Sequence, residues 1–329
     1  MTNAEPGGMN SGRMFAFAAY ETTDAQQHST AISECHHVYE QVERGPFRGR
    51  ITELLLDSIH ILRDQVFSPH GYVGASWTGS QVFFSFLPSA GTAYCHGREV
   101  CGNTILKYPS NHLCRAYSSG SIDCLAVSVR DDAIAAESFQ LTGQEISPDL
   151  LRRVIYVPHE EMAARFQHCA MDLLNQAALT PSLLDDANWQ QGAKQSVIQM
   201  LLDVVQHGIS SAQKLPPPST RAYVVDKAIE YMRENIASPP VLSDICRTVR
   251  VSPRTLRYSF EEILGVSPVH YLLSLRLRRV RDELLDGRGE NGIYRVAQSY
   301  GFCHMGRFAL FYKQAFGELP SDTCRLAAS

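Results

Sequence analysis

The sequence lacks the long apolar run that a membrane-spanning helix requires. Hydrophobic residues make up 44% of the chain, but no segment approaches the ~18 consecutive apolar residues of a span. The short apolar stretch at residues 14–20 runs directly into Glu21 and Asp24, which is atypical of a signal peptide. We therefore expect a cytoplasmic protein without membrane contact.

Signatures of common enzymes are also missing. The chain contains no Gly-x-Ser-x-Gly, no His-Glu-x-x-His and no Gly-rich phosphate loop. These absences exclude the usual hydrolase, metalloprotease and nucleotide-binding motifs. We expect a protein that is not an enzyme, with no catalytic residues and no cofactor.

Cysteine is present but lacks the pairing typical of metal or redox motifs. The nine cysteines include no Cys-x-x-Cys pair, and their odd number predicts reduced, mostly buried thiols. Cys95, His96, Cys101, His112 and Cys114 are close in sequence, but the interval from Cys101 to Cys114 is not a zinc-finger spacing. We expect no metal ligands here, and a metal or redox sensor stays an alternative.

Charge and proline divide the chain into two domains. Residues 220–329 carry 16 Lys and Arg against 12 Asp and Glu, a net charge of +4, whereas residues 1–219 carry −8. Of the 16 basic residues, 14 are arginine, whose planar guanidinium suits phosphate and guanine. Between the two parts, residues 213–220 (QKLPPPST) indicate an extended linker. The sequence thus predicts a flexible lead-in at 1–40, a domain at 41–212, the linker at 213–220 and a second domain at 221–329.

The first domain reads as a sheet followed by helices, within an α+β fold. Residues 51–56, 82–86 and 124–129 are short β-branched or aromatic segments separated by Gly, Pro, Ser and Asn, which favours an antiparallel sheet or barrel. Between residues 160 and 207, apolar residues recur at helical spacing. These helices either pack back on the sheet or pair with a second subunit.

The second domain contains one helical design twice. Residues 244–268 and 295–320 align at an offset of 51 that grows to 52 inside the turn, so that Leu256 matches Phe308 and Phe260 matches Tyr312. In the first copy Ser252-Pro253 predicts a helix start, since serine caps an orphan amide and proline loses nothing at the first helical position. Each copy therefore predicts a helix-turn-helix.

A helix that begins at Ser267-Pro268 and runs to about residue 285 separates the two copies. It spans roughly 28 Å at ~1.5 Å per residue, close to the ~34 Å between successive major-groove faces on one side of B-DNA. The outward face of the first copy is rich in arginine. Two copies therefore favour two adjacent groove contacts within one chain, with a helical protein-interaction module as the alternative.

The C-terminal 105 or so residues resemble the DNA-binding domain of the AraC/XylS family of bacterial transcription regulators. The matching positions include residues 251–256, 265–268, 276–277 and 301–302, with further matches through Ser321. Residues 303–309 look most similar to the subgroup that contains the ethanolamine-operon regulator. Cys303 stands where a serine cap is usual in the family, and Tyr258 where a basic residue is frequent.

The resemblance implies a transcription regulator, an activator among other possibilities, that binds double-stranded promoter DNA and acts with RNA polymerase. Carried onto this sequence, the DNA-contacting residues are those of the two second helices: Arg254, Thr255, Arg257 and Tyr258 in the first unit, and His304, Gly306 and Arg307 in the second. Because Gly306 and Ala309 are short, we expect the first unit to supply most base contacts.

For the N-terminal domain, the resemblance implies a cupin-like β-barrel that binds a small-molecule effector, followed by helices at residues 160–207 that form a homodimer. Candidate pocket residues are Trp77, Phe83, Phe84 and Tyr94, although each of these residue types is more often part of a structural core than of a ligand site.

Overall fold

The computed structural model describes residues 15–32, 36–42, 47–75, 77–89, 91–100, 102–109, 112–143, 146–210, 219–288 and 292–327. An N-terminal part with two β-sheets and a layer of helices precedes an all-helical C-terminal part. This confirms the α+β class predicted from the sequence. Most of the predicted linker, residues 213–218, lies outside the described residues.

Two antiparallel sheets form the N-terminal part. The larger has the order β1-β3-β4-β11-β6-β9-β12, and the smaller has the order β2-β5-β10-β7-β8. The strands are β1 Phe15–Thr22, β2 His36–Gln41, β3 Gly49–Leu56, β4 Ile59–Val66, β5 His70–Ala75, β6 Ser80–Phe86, β7 Ala93–Cys95, β8 Arg98–Val100, β9 Thr104–Pro109, β10 Cys114–Ser118, β11 Ile122–Arg130 and β12 Ile155–Pro158.

The structure departs from the predicted flexible lead-in. Strand β1 pairs with β3 along its whole length, from Phe15 opposite Leu56 to Thr22 opposite Gly49. Helix α1 (Ala25–Ala31) follows, and the Asp24 side chain caps it by accepting from two backbone amides. The polar residues on either side of the short apolar stretch concealed an edge strand, which needs only one partner strand. Residues 1–14 lie outside the described part.

Side chains of the larger sheet alternate between two cores. On β4, Ile59 and Ile61 join the core on the helix side, whereas His60, Leu62 and Asp64 face the smaller sheet. Successive side chains of a strand point to opposite faces, so a sheet covered on both sides is apolar on both. The space between the two sheets therefore holds the interior of the domain.

Helices cover the outer face of the larger sheet. They are α2 Asp131–Thr142, α3 Pro148–Arg152, α4 Glu160–Leu179 and α5 Ala187–Ser210. Phe166 and Leu174 of α4 and Val197 and Leu201 of α5 are buried together with strand residues in one core. Of the two arrangements left open by the sequence, the apolar stripes of α4 and α5 pack back on the sheet.

The C-terminal part contains α6 Thr220–Glu234, α7 Leu242–Val249, α8 Pro253–Leu264, α9 Pro268–Leu285, α10 Ile293–Ser299, α11 Met305–Phe316 and α12 Pro320–Ala327. Helix α9 begins and ends where the sequence predicts. In the described part of the chain, every helix is too short or too polar to cross a lipid bilayer.

Candidate nucleic-acid interface and internal cavity

Two helix-turn-helix units share one backbone design. In the first, α7 and α8 enclose Ile245, Leu256 and Phe260; in the second, α10 and α11 enclose Phe308 and Tyr312. The inward positions predicted for both copies are thus confirmed.

The turns of the two units share an equivalent backbone hydrogen bond. The amide of Val251 donates to the carbonyl of Cys246 at 3.1 Å, and the amide of Phe302 donates to the carbonyl of Ala297 at 3.1 Å. The second helix of each unit ends at a left-handed glycine, Gly265 (φ 72°) or Gly317 (φ 76°). These equal contacts follow from the repeat at an offset of 51 to 52.

The starts of the two second helices differ. The Ser252 hydroxyl accepts from the amide of Thr255 at 3.1 Å, and Pro253 opens α8, as predicted. Helix α11 is capped by His304, whose side chain makes no capping hydrogen bond. The position equivalent to Ser252 is therefore His304 rather than Cys303, and the second unit lacks the side-chain cap of the first.

All seven residues predicted to contact DNA are exposed to solvent. They are Arg254, Thr255, Arg257 and Tyr258 on α8, and His304, Gly306 and Arg307 at the start of α11. Met305, which lies between His304 and Gly306, packs partly against the second core. The structure therefore presents the predicted residues to solvent at the second helix of each unit.

The two arginines of α8 are held by weak surface contacts. Arg254 donates to the hydroxyl of Tyr258 at 3.2 Å, and its guanidinium lies 5.3 Å from the centre of that ring. Arg257 donates to Glu261 one turn further on, at 2.7 Å. Contacts between exposed side chains of this kind are weak because water competes for both partners, so either guanidinium can exchange its partner for an external group at small cost.

Arginines of α9 have structural roles. Arg276 donates to the carbonyl of Tyr300 at 2.6 Å and lies 4.3 Å from the centre of the Phe302 ring, which fixes the turn of the second unit. Arg278 donates to the carbonyl of Tyr39, and Arg281 pairs with Glu318 at 3.1 Å. These side chains therefore hold neighbouring parts of the protein together.

An internal cavity of about 80 Å³ lies between the two sheets. Its walls are mostly apolar or aromatic, with histidine and one acid among them: His60, Leu62, Asp64, His70, Tyr72, Phe84, Phe86 and Ile122 contribute, with others. Of the pocket residues suggested by the sequence, Phe84 lines the cavity, and Trp77 stacks on His60 at 5.9 Å between ring centres. Phe83 belongs to the helix-side core, and Tyr94 packs against the core of the first unit.

A buried polar network lies at one wall of the cavity. Asp64 accepts from the Tyr39 hydroxyl at 2.5 Å and contacts His28 Nε2 at 2.8 Å. Burial would raise the pKa of Asp64, but its hydrogen bond with His28, the charge of His28 and the Tyr39 hydroxyl hold that pKa below its usual value. Burial also lowers the pKa of His70 on the same wall. The wall thus holds an ionised carboxylate, that of Asp64, and His70, whose imidazole burial favours in its neutral form.

Strand β2 connects this wall to the C-terminal domain. Tyr39 faces the cavity, and the next residue, Glu40, faces α6 and α9. Arg233 donates twice to the Glu40 carboxylate, at 3.0 and 2.6 Å, and the Tyr271 hydroxyl donates to it at 2.5 Å. Tyr117 of the smaller sheet donates to Asp226 at 3.2 Å. Sequence reasoning missed this interface, whose partners lie more than a hundred residues apart.

The cysteines and histidines considered as metal ligands do come together in part. The Sγ atoms of Cys95 and Cys114 are 3.5 Å apart, and one ligand atom each of Cys95, His96 and Cys114 lie within 4.8 Å of one another. The ring of His112 is centred 4.9 Å from that of His96. Cys101 lies outside the described residues. Burial, together with the nearby His112, lowers the pKa of His96 to about 4, so this imidazole is neutral at pH 7.

Comparison with known proteins finds sequence similarity in the C-terminal part. Residues 245–325 match the family model described as "Helix-turn-helix domain". A probable thc operon regulatory protein of Rhodococcus erythropolis is 33% identical over 126 residues, 38% of each chain. The XylDLEGF operon transcriptional activator of Pseudomonas putida is 37% identical over 101 residues, 30% of this chain and 32% of the relative.

The chain thus spans about a third of the length of these curated relatives. Among solved structures, that of the AraC-like transcriptional activator CuxR covers 81% of this chain and 96% of its own, with a TM-score of 0.40 and 14% identity. The sequence matches coincide with the two units described above. Within the C-terminal third of this chain, residues 245–325 thus match a helix-turn-helix domain, and the same region is similar in sequence to these two operon regulators.

Proposed function

We propose that this protein is a sequence-specific transcription regulator whose two helix-turn-helix units bind adjacent major grooves of promoter DNA. The observation that carries the proposal is the pair of equivalent units, each presenting its second helix to solvent, with unburied arginines on α8. Arginine recognises guanine through two parallel hydrogen bonds in the major groove. Arg254, Thr255, Arg257 and Tyr258 supply most base contacts, and His304, Gly306 and Arg307 mainly position the second helix on the DNA backbone.

We infer further that the cavity between the sheets binds a small effector. Its apolar walls suit an apolar body, and His70 and Tyr39 offer one hydrogen-bonding end. The ionised carboxylate of Asp64 disfavours an anionic ligand. The effector is therefore a small uncharged molecule with one polar group.

The remaining parts of the proposal follow the family. The protein acts in the cytoplasm with RNA polymerase and forms a homodimer through the exposed sides of the helices at residues 160–207. The similarity of residues 303–309 to the ethanolamine-operon subgroup stays a prediction.

The DNA proposal is tested by genome-wide capture of DNA fragments by the purified full-length protein, with and without a small-molecule extract of its host. We expect a few enriched sites with two blocks one helical turn apart, and binding that weakens steeply with salt because phosphate contacts release counterions. The matched variants are Arg254→Ala with Arg257→Ala, which removes the enrichment, and Arg130→Ala on the N-terminal domain, which retains it. Absence of enrichment with the folded wild type at modest salt would favour a helical protein-interaction module.

The effector proposal has its own test. Benzyl alcohol and benzoate share a ring and differ in charge, so they serve as probes in a melting experiment. We expect only the alcohol to raise the melting temperature, and we expect Ala126→Leu, which fills the cavity, to abolish the rise. A rise with benzoate that equals that with the alcohol would contradict the inferred ligand charge.

A further inference from the structure

A compact group of sulfur and nitrogen atoms lies at the end of the smaller sheet, on three neighbouring elements. Cys95 ends β7, His96 is the first residue of the turn to β8, and Cys114 begins β10. Strands β7 and β10 pair with Cys95 opposite Ala116, so Cys114 is the diagonal neighbour of Cys95 across the ladder. The sheet itself therefore fixes the relative positions of the two thiols.

The distances match those of a metal site. Zinc binds thiolate sulfur at about 2.3 Å and imidazole nitrogen at about 2.0–2.1 Å in a tetrahedron, which places ligand atoms about 3.5–3.8 Å apart. The two sulfurs here are 3.5 Å apart, and the nitrogen of His96 lies with both inside 4.8 Å. A shift of the imidazole by about 1 Å closes a nitrogen–sulfur distance of up to 4.8 Å to the tetrahedral value.

The backbone at His96 is unusual for a histidine. His96 has φ 48° and Gly97 has φ 74°, the left-handed pair of a two-residue hairpin, for which Asn-Gly is the common choice. Side chains other than glycine, asparagine and aspartate rarely adopt this backbone conformation. The chain accepts this conformation at the position that brings an imidazole next to two thiols.

We propose that Cys95, His96 and Cys114 form a binding site for one Zn²⁺ ion. Two thiolates and an imidazole are ligands that this cation prefers, and binding releases the two thiol protons to solvent. The fourth position is taken by water or by His112, whose ring lies beside that of His96. The zinc-finger spacing argument missed the site because its ligands converge across strands rather than along the chain.

The site lies next to the junction between the domains. The carbonyl of Gly97 accepts from the amide of Ser219 at 3.0 Å, and the Ser219 side chain caps α6, the first helix of the C-terminal domain. An ion held by the hairpin therefore stiffens the turn against which the C-terminal domain begins. Zinc binding itself does not depend on the proposed DNA function.

The test is a titration of reduced, chelator-stripped full-length protein with Zn²⁺ against a competing chromophoric chelator. We expect one tightly bound ion per chain and a rise in melting temperature. Cys95→Ser, Cys114→Ser and His96→Asn should each abolish both effects, and asparagine keeps the left-handed turn intact. The matched control is Cys303→Ser, an exposed thiol in the other domain, which retains wild-type binding.

Circular dichroism of each variant establishes that it is folded. Two results would overturn the proposal: no zinc uptake by the folded wild type, or uptake that persists in folded His96→Asn. If the wild type binds no zinc and instead loses two hydrogens in air through a Cys95–Cys114 bond, the cluster is a redox pair and not a metal site.

Discussion

The two helix-turn-helix units have the same backbone but different surroundings. The apolar core of the first unit includes Val42 and Tyr117 from the sheet domain, in addition to its own residues. The core of the second consists of residues from α9 to α12 and their connections. Its contact with the N-terminal part includes the ion pair of Arg281 with Asp24. The first unit is thus packed against the sheet domain, and the second is built mainly from its own segment.

Because of this difference, we expect the two units to respond differently to a change in the sheet domain. A change inside the sheet domain reaches the first unit through a shared core and the buried Glu40 carboxylate, whereas it reaches the second mainly through α9. The first unit also carries the arginine-rich second helix. On the proposed function, the unit with more arginine on its second helix is therefore the unit that is linked more directly to the sheet domain and its cavity.

The largest expected loss of stability comes from removing the buried ion pair of Glu40 with Arg233, which links the sheet domain to α6. Glu40→Gln leaves Arg233 buried without its charge partner, which costs about 3–5 kcal/mol for a buried pair. Urea unfolding followed by fluorescence and circular dichroism measures the loss. Glu21→Gln, which breaks the exposed pair of Glu21 with Arg50, is the control and should cost less than about 1 kcal/mol. Equal losses in the two variants would refute a special role for Glu40.

The same contact predicts a pH dependence. Burial would raise the pKa of Glu40, but the Arg233 guanidinium and the Tyr271 hydroxyl outweigh it and hold the pKa below 4.5. A lowered carboxyl pKa contributes stability that is present above the ordinary value and is lost as the pH falls through the lowered one. We expect the stability difference between wild type and Glu40→Gln to shrink only in that acidic range, which urea midpoints across pH would show.

On the proposed function, the two units should also differ in how their arginines contribute to DNA affinity and specificity. Arg254→Ala or Arg257→Ala should cost about 1–3 kcal/mol in DNA affinity and relax specificity at one base pair. Arg307→Ala should weaken binding to all sequences alike, as loss of a phosphate contact does. Fluorescence anisotropy on operator variants with single base changes distinguishes these patterns. A uniform loss for both arginines of α8 would move base recognition away from the first unit.

Substitutions in the turns of the two units should change the free energy of unfolding by smaller amounts and in opposite directions. Arg250 occupies the left-handed position of the first turn (φ 56°), and Gly301 occupies the equivalent position of the second (φ 76°). Gly301→Ala should destabilise by about 1–2 kcal/mol, since its Cβ would also lie 3.0 Å from Arg276 Nη2. Arg250→Gly should stabilise by about 0.5–1 kcal/mol. Thermal melts of both variants check the signs, and a gain from Gly301→Ala would contradict the equivalence of the turns.

The smallest effect concerns helix starts. Ser252→Ala removes the cap of α8 and should cost about 1 kcal/mol, whereas His304→Ser supplies the missing cap of α11 and should gain about 0.5 kcal/mol. Both changes are read from melting followed by circular dichroism. If His304→Ser gives no gain, the start of α11 is already satisfied without a side-chain cap.

Much of the C-terminal domain was predictable because its signals are local. Ser252-Pro253 and Ser267-Pro268 mark helix starts, and the periodic Leu256 and Phe260 mark a buried face. Each of these signals lies within one or two turns of the feature it determines. The strands at residues 51–56, 82–86 and 124–129 were visible for the same reason.

The cavity and the interface were not predictable, since their residues meet only through tertiary structure. Asp64 belongs to a buried polar network only because His28 and Tyr39, which lie on other elements, contact it. Glu40 reads as one more polar residue of a strand until Arg233, 193 residues away, is placed opposite it. The exposed face of α8 was predicted from the sequence, but the hydrogen bond of Arg257 with Glu261 on that face was not.

Helix α9 serves both units at once. Tyr271 and Leu275 belong to the first core, and Leu277, Val280 and Leu284 belong to the second. Its 18 residues extend about 27 Å, and bending it would open two cores. On the proposed function, α9 therefore holds the two units at a fixed separation and a fixed rotation about the DNA axis. Each base pair inserted between the two contact blocks turns one block by about 35° relative to the other, so a functional operator tolerates a single spacing.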